Sequence, residues 1–210
     1  MTLLEIIAFH NIDGFDKPGG TDKNTIHSYI DSYEKLLSPF KNRKCTLLEI
    51  GIQYGGSSLL WHDYLPNAKL SFIDFRPECI HPSLIPKFDM SRSIFYSLDA
   101  YSNDTVAILS KNNPDGFDII IDDGPHTFES FSSTITKYLP LMNSGGIIIM
   151  EDLPYNFATE TPFGFYLEDK EFVNNLISLV PEYLRKNVEL IDLTHVKGRY
   201  DDILLTITLP

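Results

Sequence analysis

Apolar residues are distributed along this chain in two ways. Some form short runs without polar alternation, such as residues 119–121 and 147–150, and such runs are typical of parallel strands buried on both faces. Others recur at three- or four-residue intervals, as Ile26, Ile30 and Tyr33 do, which predicts the buried face of an amphipathic helix. The two patterns alternate along the chain, so strands and helices are expected to alternate as well.

Seven strands and five helices are expected from these patterns. The strands are expected near residues 47–50, 70–74, 93–98, 119–121, 147–150, 188–193 and 203–208. The helices are expected near residues 24–38, 56–61, 103–111, 127–139 and 168–180. Thr21 or Asp22 would cap the first helix. This order predicts an α/β fold with a Rossmann-like, doubly wound sheet of about seven strands. The sheet is expected to be mostly parallel, with an antiparallel C-terminal strand and helices on both faces.

The composition narrows the class of protein and of partner. The chain has 210 residues, of which 43% are hydrophobic and 22% charged. This suits a single domain over residues 1–210, with an N-terminal lid and helix at 1–40 and a Rossmann-like core at 41–210. A net charge of −12 disfavours nucleic acids and anionic membrane surfaces as partners. A small neutral or cationic ligand fits this charge better.

The two cysteines, Cys45 and Cys79, are too few for a disulfide framework. Cys45 opens a predicted buried strand and is expected to be a core thiol, and a reducing, cytoplasmic location is the default expectation. No apolar run approaches the ~18 residues of a membrane-spanning helix. The apolar start at residues 1–9 contains Glu5 and no basic residue, which makes it a poor signal peptide.

A glycine-rich loop at residues 51–57 follows the first strand and contains Gly51, Gly55 and Gly56. Glycines allow the backbone to turn tightly and to approach a ligand closely. Gln53 occupies the position of the middle glycine in the dinucleotide fingerprint, and no cluster of Lys or Arg lies nearby to hold phosphates. The loop therefore predicts a small-ligand site and disfavours a nucleotide-dependent oxidoreductase.

The next two strands are each followed by a carboxylate. Asp74 ends the second strand, 23 residues after Gly51, which is close to the roughly 20-residue spacing expected of a carboxylate that binds a ribose diol. Asp99 follows the third strand and could meet an adenine edge. Taken alone, each Asp could be only a helix cap. The ordered set across three strand ends favours an adenosine ligand that carries positive charge.

The fourth and fifth strands also end in carboxylates. Asp122 and Asp123 end the fourth strand and precede His126, and Glu151 and Asp152 end the fifth. Neighbouring parallel strands lie about 4.8 Å apart and present their C-terminal ends at one edge of the sheet. Carboxylates and an imidazole at that edge suit a hard cation with a general base beside it. In the structural alternative, the two aspartates cap the next helix and the other pair only solvates a strand end.

Together these motifs resemble a known family. Residues 47–57 with Asp74 and Asp99 resemble the cofactor site of class I S-adenosylmethionine-dependent methyltransferases. A closer resemblance is to the macrocin/mycinamicin-type sugar O-methyltransferases, and it covers residues 19–155. The matching motifs are Gly-Thr-Asp-Lys at 20–23, Asp-Asp-Gly-Pro-His at 122–126 and Glu-Asp-Leu at 151–153. That family typically has Ser where this chain has Pro125, and a proline fixes one φ angle, so the local turn is expected to differ.

The resemblance implies roles for particular residues. S-adenosyl-L-methionine would be held by Glu49, Gly51, Tyr54, Gly55, Ser57, Asp74, Asp99 and Asp122. Mg²⁺ or another divalent cation would be held by Asp123, Glu151 and Asp152. Asp123 and His126 would be the catalytic residues, with His126 as the general base. A cation lowers the pKa of a bound hydroxyl and a base removes its proton, which is the help that methyl transfer to an alcohol needs.

The predicted function is O-methylation of a sugar hydroxyl in a glycan or a glycoside, for example on a deoxyhexose such as rhamnose. A catechol-type O-methyltransferase acting on a small phenol would use the same machinery, and a non-catalytic module that binds an adenosine ligand is an alternative of another class. Aromatic residues cluster after the fifth strand, at Tyr155, Phe157, Phe163, Phe165 and Tyr166. They could stack on a sugar ring, or cover the sheet edge or the second copy of a homodimer.

Overall fold

The computed structural model describes residues 1–76, 80–153 and 170–210. The helices are α1 Leu3–His10, α2 Ile30–Leu37, α3 Gly56–Tyr64, α4 Asn103–Asn112, α5 Phe128–Ser133, α6 Lys170–Leu179 and α7 Thr194–Lys197. The strands are β1 Thr46–Ile50, β2 Lys69–Asp74, β3 Ser93–Ser97, β4 Phe117–Asp122, β5 Met142–Met150, β6 Val188–Asp192 and β7 Ile203–Thr208. Two compact units are formed, by residues 1–100 and by residues 101–210.

The predicted fold class is confirmed. The strand order is β3-β2-β1-β4-β5-β7-β6. In the first unit, β2 pairs in parallel with both β1 and β3. In the second unit, β4 and β5 are parallel, whereas β7 runs antiparallel to both β5 and β6. Each of the seven expected strands is present, and the antiparallel C-terminal strand is where the sequence predicted it.

The core of the first unit is built on β1. Leu47, Leu48 and Ile50 are at most 2% exposed, and burial of each such side chain contributes roughly 1.5–3 kcal/mol. Cys45, just before β1, is a buried free thiol, as predicted, while Cys79 lies outside the described residues. Burial on both faces explains why β1 reads as an unbroken apolar run.

The first expected helix begins later than predicted, at Ile30 rather than near residue 24. The preceding residues form turns instead, because Ile26 and His27 both donate backbone hydrogen bonds to the Asp22 carbonyl. The N–H of Thr21 bonds to another segment, at the Ile12 carbonyl. The predicted capping role of Thr21 or Asp22 is therefore wrong, and α2 begins without a side-chain cap.

The apolar start of the chain forms α1, which the sequence patterns did not predict. Thr2 and Glu5 form a capping box, in which each side chain accepts a hydrogen bond from the backbone N–H of the other residue. The helix buries Leu3, Ile6 and Ile7. The start of the chain is thus part of the core of the first unit.

In the second unit, the helix expected at residues 127–139 changes character along its length. An α-helix spans Phe128–Ser133, a π-helical turn covers Thr134–Tyr138 and a 3₁₀ turn covers Leu139–Leu141. The connection from β6 to β7 contains the short helix α7, which Gly198 ends with a left-handed φ of 73°. Among the described residues, no helix combines the length and the apolar character that crossing a bilayer requires.

Candidate functional site

The glycine loop after β1 is held in place by the carboxylate of Asp74. One oxygen, Oδ2, accepts hydrogen bonds from the backbone N–H groups of Ile52 at 3.0 Å and Gln53 at 3.1 Å. The other, Oδ1, accepts from the N–H of Arg76 at 2.8 Å. A carboxylate has about four lone-pair sites, so one more donor can be accepted at Oδ1. Asp74 thus shapes the loop and retains capacity for a ribose hydroxyl, its predicted partner.

Left-handed backbone conformations produce the tight turn of this loop. Gly51 and Gly55 have φ angles of 82° and 88°, and Gln53 reaches 44° despite its side chain. A residue with a Cβ at Gly56 would place that atom 2.5 Å from the carbonyl carbon and oxygen of Gly20. This close backbone contact explains the glycine at position 56. A Cβ at Gly20 would lie 1.8 Å from the carbonyl oxygen of Gly14, which explains why the Gly-Thr-Asp-Lys motif at residues 20–23 begins with a glycine.

Glu49 lies beneath the loop, fully buried in the first unit. Its carboxylate accepts hydrogen bonds from Ser58 Oγ at 2.6 Å and Trp61 Nε1 at 2.8 Å, which ties α3 to β1. Burial raises the pKa of Glu49 to about 7, against the opposing influence of the Lys23 ammonium and of hydrogen bonds that include one from Ser57. Lys23 is itself fully buried. Sequence reasoning assigned Lys23 no role, because Glu49, on which its charge acts, lies in a distant segment.

The other predicted cofactor residues of the first unit differ in exposure. Tyr54 is 45% exposed, whereas Ser57 is 7% exposed in the first turn of α3. Asp99 is exposed two residues after β3 ends. Contact of these residues with a cofactor stays a prediction.

Asp122, at the end of β4, is an internal anchor of the second unit. It is fully buried, and its carboxylate accepts hydrogen bonds from the hydroxyl groups of Tyr101 and Thr134 and from the N–H of Gly124. Burial raises the pKa of Asp122, and these hydrogen bonds oppose that shift. The helix-cap alternative is wrong, because α5 is capped by Thr127. Contact of Asp122 with the cofactor stays a prediction.

Asp123, His126 and Asp152 converge in the second unit. Each offers one ligand atom, and these atoms lie within 4.8 Å of one another. His126 Nε2 is 3.7 Å from Asp123 Oδ1 and 3.7 Å from Asp152 Oδ2. All three side chains are partly exposed, at 23%, 30% and 17% respectively. The donor set is thus accessible, and two carboxylates with an imidazole can hold a divalent cation or can accept a proton.

The backbone orients the imidazole of His126 at this cluster. Nδ1 lies 3.2 Å from the carbonyl oxygen of Glu151, and since a carbonyl only accepts, Nδ1 carries a proton. In the neutral ring the lone pair is then on Nε2, the atom that faces the two aspartates. His126 and Asp152 both have left-handed φ angles, of 54° and 55°. Such angles are uncommon for residues with side chains and cluster at functional sites.

Glu151, predicted as a metal ligand, is only 1% exposed. Its backbone is engaged on both sides, since its N–H donates to the Asp122 carbonyl at 3.0 Å and its carbonyl accepts from His126. Among the described residues, the group whose ligand atoms converge consists of Asp123, His126 and Asp152, and Glu151 is not part of it. A ligand role for Glu151 stays a prediction.

Arg199 and Tyr200 lie in the connection between β6 and β7, and both interact electrostatically with Asp152. Sequence reasoning assigned them no role. The cause is the antiparallel pairing of β5 with β7, which opposes Met150 to Leu205 and so returns the start of β7 to the end of β5. A sequence signal for this electrostatic interaction would have required knowledge of that strand pairing.

Residues 48–153 match a family model described as "Methyltransferase domain", which is just over half of the 210 residues. This chain belongs to that methyltransferase family. The matched region starts within β1 and ends directly after Asp152, so it includes the glycine loop and the acidic cluster of the methyltransferase domain.

Two curated relatives of this methyltransferase domain are named as O-methyltransferases. A tetracenomycin rhamnosyl 2'-O-methyltransferase of Streptomyces olivaceus is 28% identical over 179 residues, covering 73% of this chain and 45% of the relative. The mycinamicin VI 2''-O-methyltransferase of Micromonospora griseorubida is 23% identical, covering 61% of this chain and 32% of the relative. The chain thus spans less than half the length of these relatives, and the resemblance seen in the sequence motifs is confirmed.

A solved structure shares the fold of the methyltransferase domain. It is MycE, a methyltransferase of the mycinamycin biosynthetic pathway, in complex with Mg, SAH and mycinamycin VI. The match has a TM-score of 0.68 and 19% identity, and covers 100% of this chain and 55% of the other. At this identity the match shows the fold, which agrees with the Rossmann-like prediction.

Proposed function

We propose that this methyltransferase domain transfers the methyl group of S-adenosyl-L-methionine to a sugar hydroxyl with the help of a divalent cation. The observation that carries the proposal is the convergence of Asp123, His126 and Asp152. Methyl transfer to an alcohol needs a more acidic hydroxyl and a proton acceptor, and this donor set can serve both needs. The curated relatives named as rhamnosyl and mycinamicin O-methyltransferases support a glycoside acceptor.

The cofactor half of the proposal rests on the glycine loop. Its left-handed glycines and the remaining acceptor capacity of Asp74 Oδ1 fit an adenosine ligand, and S-adenosylmethionine supplies a methyl group on a positively charged sulfur. Asp74 would bind the ribose diol, and the loop backbone would approach the ligand closely. The solved neighbour that holds SAH on the same fold supports this assignment.

The metal half of the proposal rests on the chemistry of the donor set. Carboxylate oxygens of Asp123 and Asp152 suit Mg²⁺, and the bound cation would lower the pKa of the acceptor hydroxyl. His126 would take the proton at Nε2, because Nδ1–H is donated to the Glu151 carbonyl. Glu151 would complete the ligand set, as the sequence resemblance implies. Mg in the solved neighbour supports a metal-assisted reaction.

Two measurements test the proposed function. Calorimetry with S-adenosylhomocysteine, once with Mg²⁺ and once with EDTA, is expected to show binding in both conditions. Formation of S-adenosylhomocysteine from S-adenosylmethionine and methyl α-L-rhamnopyranoside is expected with Mg²⁺ and not with EDTA. Absence of cofactor binding in both conditions would refute the methyltransferase activity. Turnover of a catechol but of no glycoside would instead support the phenol alternative, and cofactor binding without any turnover would support the non-catalytic module.

A further inference from the structure

Arg199 lies in the connection from β6 to β7 of the second unit and acts electrostatically on Asp152 of the acidic cluster. The β5–β7 pairing continues past the strands, where the N–H of Leu153 donates to the Ile203 carbonyl at 3.2 Å. The residues just before Ile203 therefore lie alongside the residues just after Met150. This backbone geometry explains why Arg199 acts electrostatically on Asp152, although the two residues are far apart in the sequence.

Asp201 holds one edge of the Arg199 guanidinium in a fixed orientation. Nε donates to Asp201 Oδ1 at 2.9 Å and Nη2 donates to Asp201 Oδ2 at 2.7 Å. This is a bidentate pair, which fixes the plane of the guanidinium as well as its position. Asp201 is itself buried, at 9% exposure, so the anchor is part of the folded unit rather than a mobile surface contact.

The other edge of the guanidinium is accessible. The Arg199 side chain is 36% exposed, and within residues 101–153 and 170–210 its Nη1 group makes no hydrogen bond. A guanidinium has five N–H donors, and Asp201 engages two of them. The remaining donors form a rigid, planar edge that can bind two oxygen atoms side by side.

The surrounding charge indicates which oxygen atoms would bind there. Among the described residues, two carboxylates act on the guanidinium: Asp201, which pairs with it, and Asp152, which acts on it electrostatically. These two carboxylates would repel an anionic ligand, whereas they would not repel a neutral one. The oxygens of a sugar accept hydrogen bonds without bringing charge, so a glycoside suits this edge better than a carboxylate or a phosphate does.

Building on the proposed function, we propose that Arg199 is an acceptor-binding residue whose free guanidinium edge donates hydrogen bonds to oxygen atoms of the sugar. Asp201 is a positioning residue that orients this edge. The pair thereby helps to select which hydroxyl of the sugar faces the Asp123–His126–Asp152 cluster.

The test measures the dissociation constant of methyl α-L-rhamnopyranoside by calorimetry, on protein saturated with S-adenosylhomocysteine and Mg²⁺. Arg199→Ala is expected to weaken binding of the glycoside about tenfold or more, since a hydrogen bond from a charged donor is lost. Arg199→Lys is expected to weaken it as well, because an ammonium cannot present the planar edge. Asp201→Asn, which leaves Arg199 in place, is expected to have a smaller effect in the same direction.

Lys186→Ala removes one positive charge at an exposed position of the same unit and serves as the matched control. Affinity for S-adenosylhomocysteine is expected to stay within about twofold in every variant, and in turnover Arg199→Ala is expected to raise KM for the glycoside far more than it lowers kcat. If Arg199→Ala binds the glycoside as wild type does, the role of Arg199 is refuted while the proposed function stands. If wild type binds the cofactor but no glycoside, the sugar acceptor itself is refuted, and the role of Arg199 with it.

Discussion

His126 and Asp152 both adopt left-handed backbone conformations, and they place His126 Nε2 3.7 Å from Asp152 Oδ2. A residue with a Cβ in this region costs on the order of 1–2 kcal/mol, so the surrounding structure must stabilise both conformations. The bond from His126 Nδ1 to the Glu151 carbonyl provides part of that stabilisation. The strained backbone thus directs two side chains at one point, as active sites commonly do.

Substitutions of His126 distinguish its effect on stability, through backbone strain, from its effect on turnover, through proton transfer. Glycine has no Cβ and adopts a φ of 54° readily, so His126→Gly is expected to be about 1 kcal/mol more stable than His126→Ala. Both variants are expected to lose turnover by about 10²-fold, because the general base is absent. Urea denaturation measures the stability difference, and S-adenosylhomocysteine formation measures the rate. Equal stability of the two variants would contradict the left-handed conformation, and unchanged turnover would remove His126 from the mechanism.

Asp123→Asn tests whether the acidic cluster serves a metal rather than the cofactor. Replacing a carboxylate with an amide removes a negative charge that a divalent cation needs, so turnover is expected to be abolished while affinity for S-adenosylhomocysteine stays within a few-fold. Mn²⁺ binding, measured by electron paramagnetic resonance, is expected to weaken as well. Asp115→Asn, at an exposed position of the same unit, is the matched control. Full turnover by Asp123→Asn would refute the metal proposal.

The sequence predicted the strands well, because their signal is local. β4 and β5 are buried on both faces, and such strands read as unbroken apolar runs wherever they occur. Helix α2 was predicted to begin six residues too early, near residue 24 instead of Ile30. The apolar spacing of Ile26 suited a helix, but the bonds of two N–H groups to the Asp22 carbonyl close a turn there instead.

Part of the candidate site was also predicted, because the signal for that part is local as well. Asp123, His126 and Asp152 follow strand ends, a position that the sequence pattern reveals, and the structure brings them together. Arg199 acts electrostatically on Asp152 because β5 and β7 pair in antiparallel. The Lys23–Glu49 interaction joins segments separated by a helix. Such long-range relationships leave no periodic signal in the sequence, so they became visible only in the fold.

Asp74→Ala is expected to weaken S-adenosylhomocysteine binding about tenfold or more. The variant loses the ribose partner and also releases the N–H groups of Ile52, Gln53 and Arg76, which the carboxylate now accepts. Loss of these bonds is expected to cost about 1–3 kcal/mol of the free energy of unfolding. Calorimetry and urea denaturation measure the two effects separately. Asp74→Asn, which keeps one carbonyl oxygen, is expected to recover part of the stability, and unchanged affinity in Asp74→Ala would contradict the cofactor site.

Glu49 is expected to make the stability of the protein depend on pH. Burial raises the pKa of Glu49 from its ordinary value of 4.5 to about 7, so between these values the folded state binds a proton that the unfolded state has released. The stability contributed by the protonated carboxyl is therefore fully present below pH 4.5 and is lost as the pH rises through 7. The shift corresponds to about 3 kcal/mol at most, at about 1.4 kcal/mol for each pH unit.

Glu49→Gln isolates this effect, since the amide is similar in shape and does not titrate in this range. The free energy of unfolding of wild type minus that of Glu49→Gln is expected to fall by up to about 3 kcal/mol as the pH rises from 4.5 to 8. Urea denaturation at several pH values gives this difference, and infrared spectroscopy of the protonated carboxyl band gives an independent titration. Glu182→Gln, at an exposed glutamate, should show no such slope. A flat difference for Glu49→Gln would mean that the buried carboxylate is ionised throughout, with its charge balanced by the Lys23 ammonium.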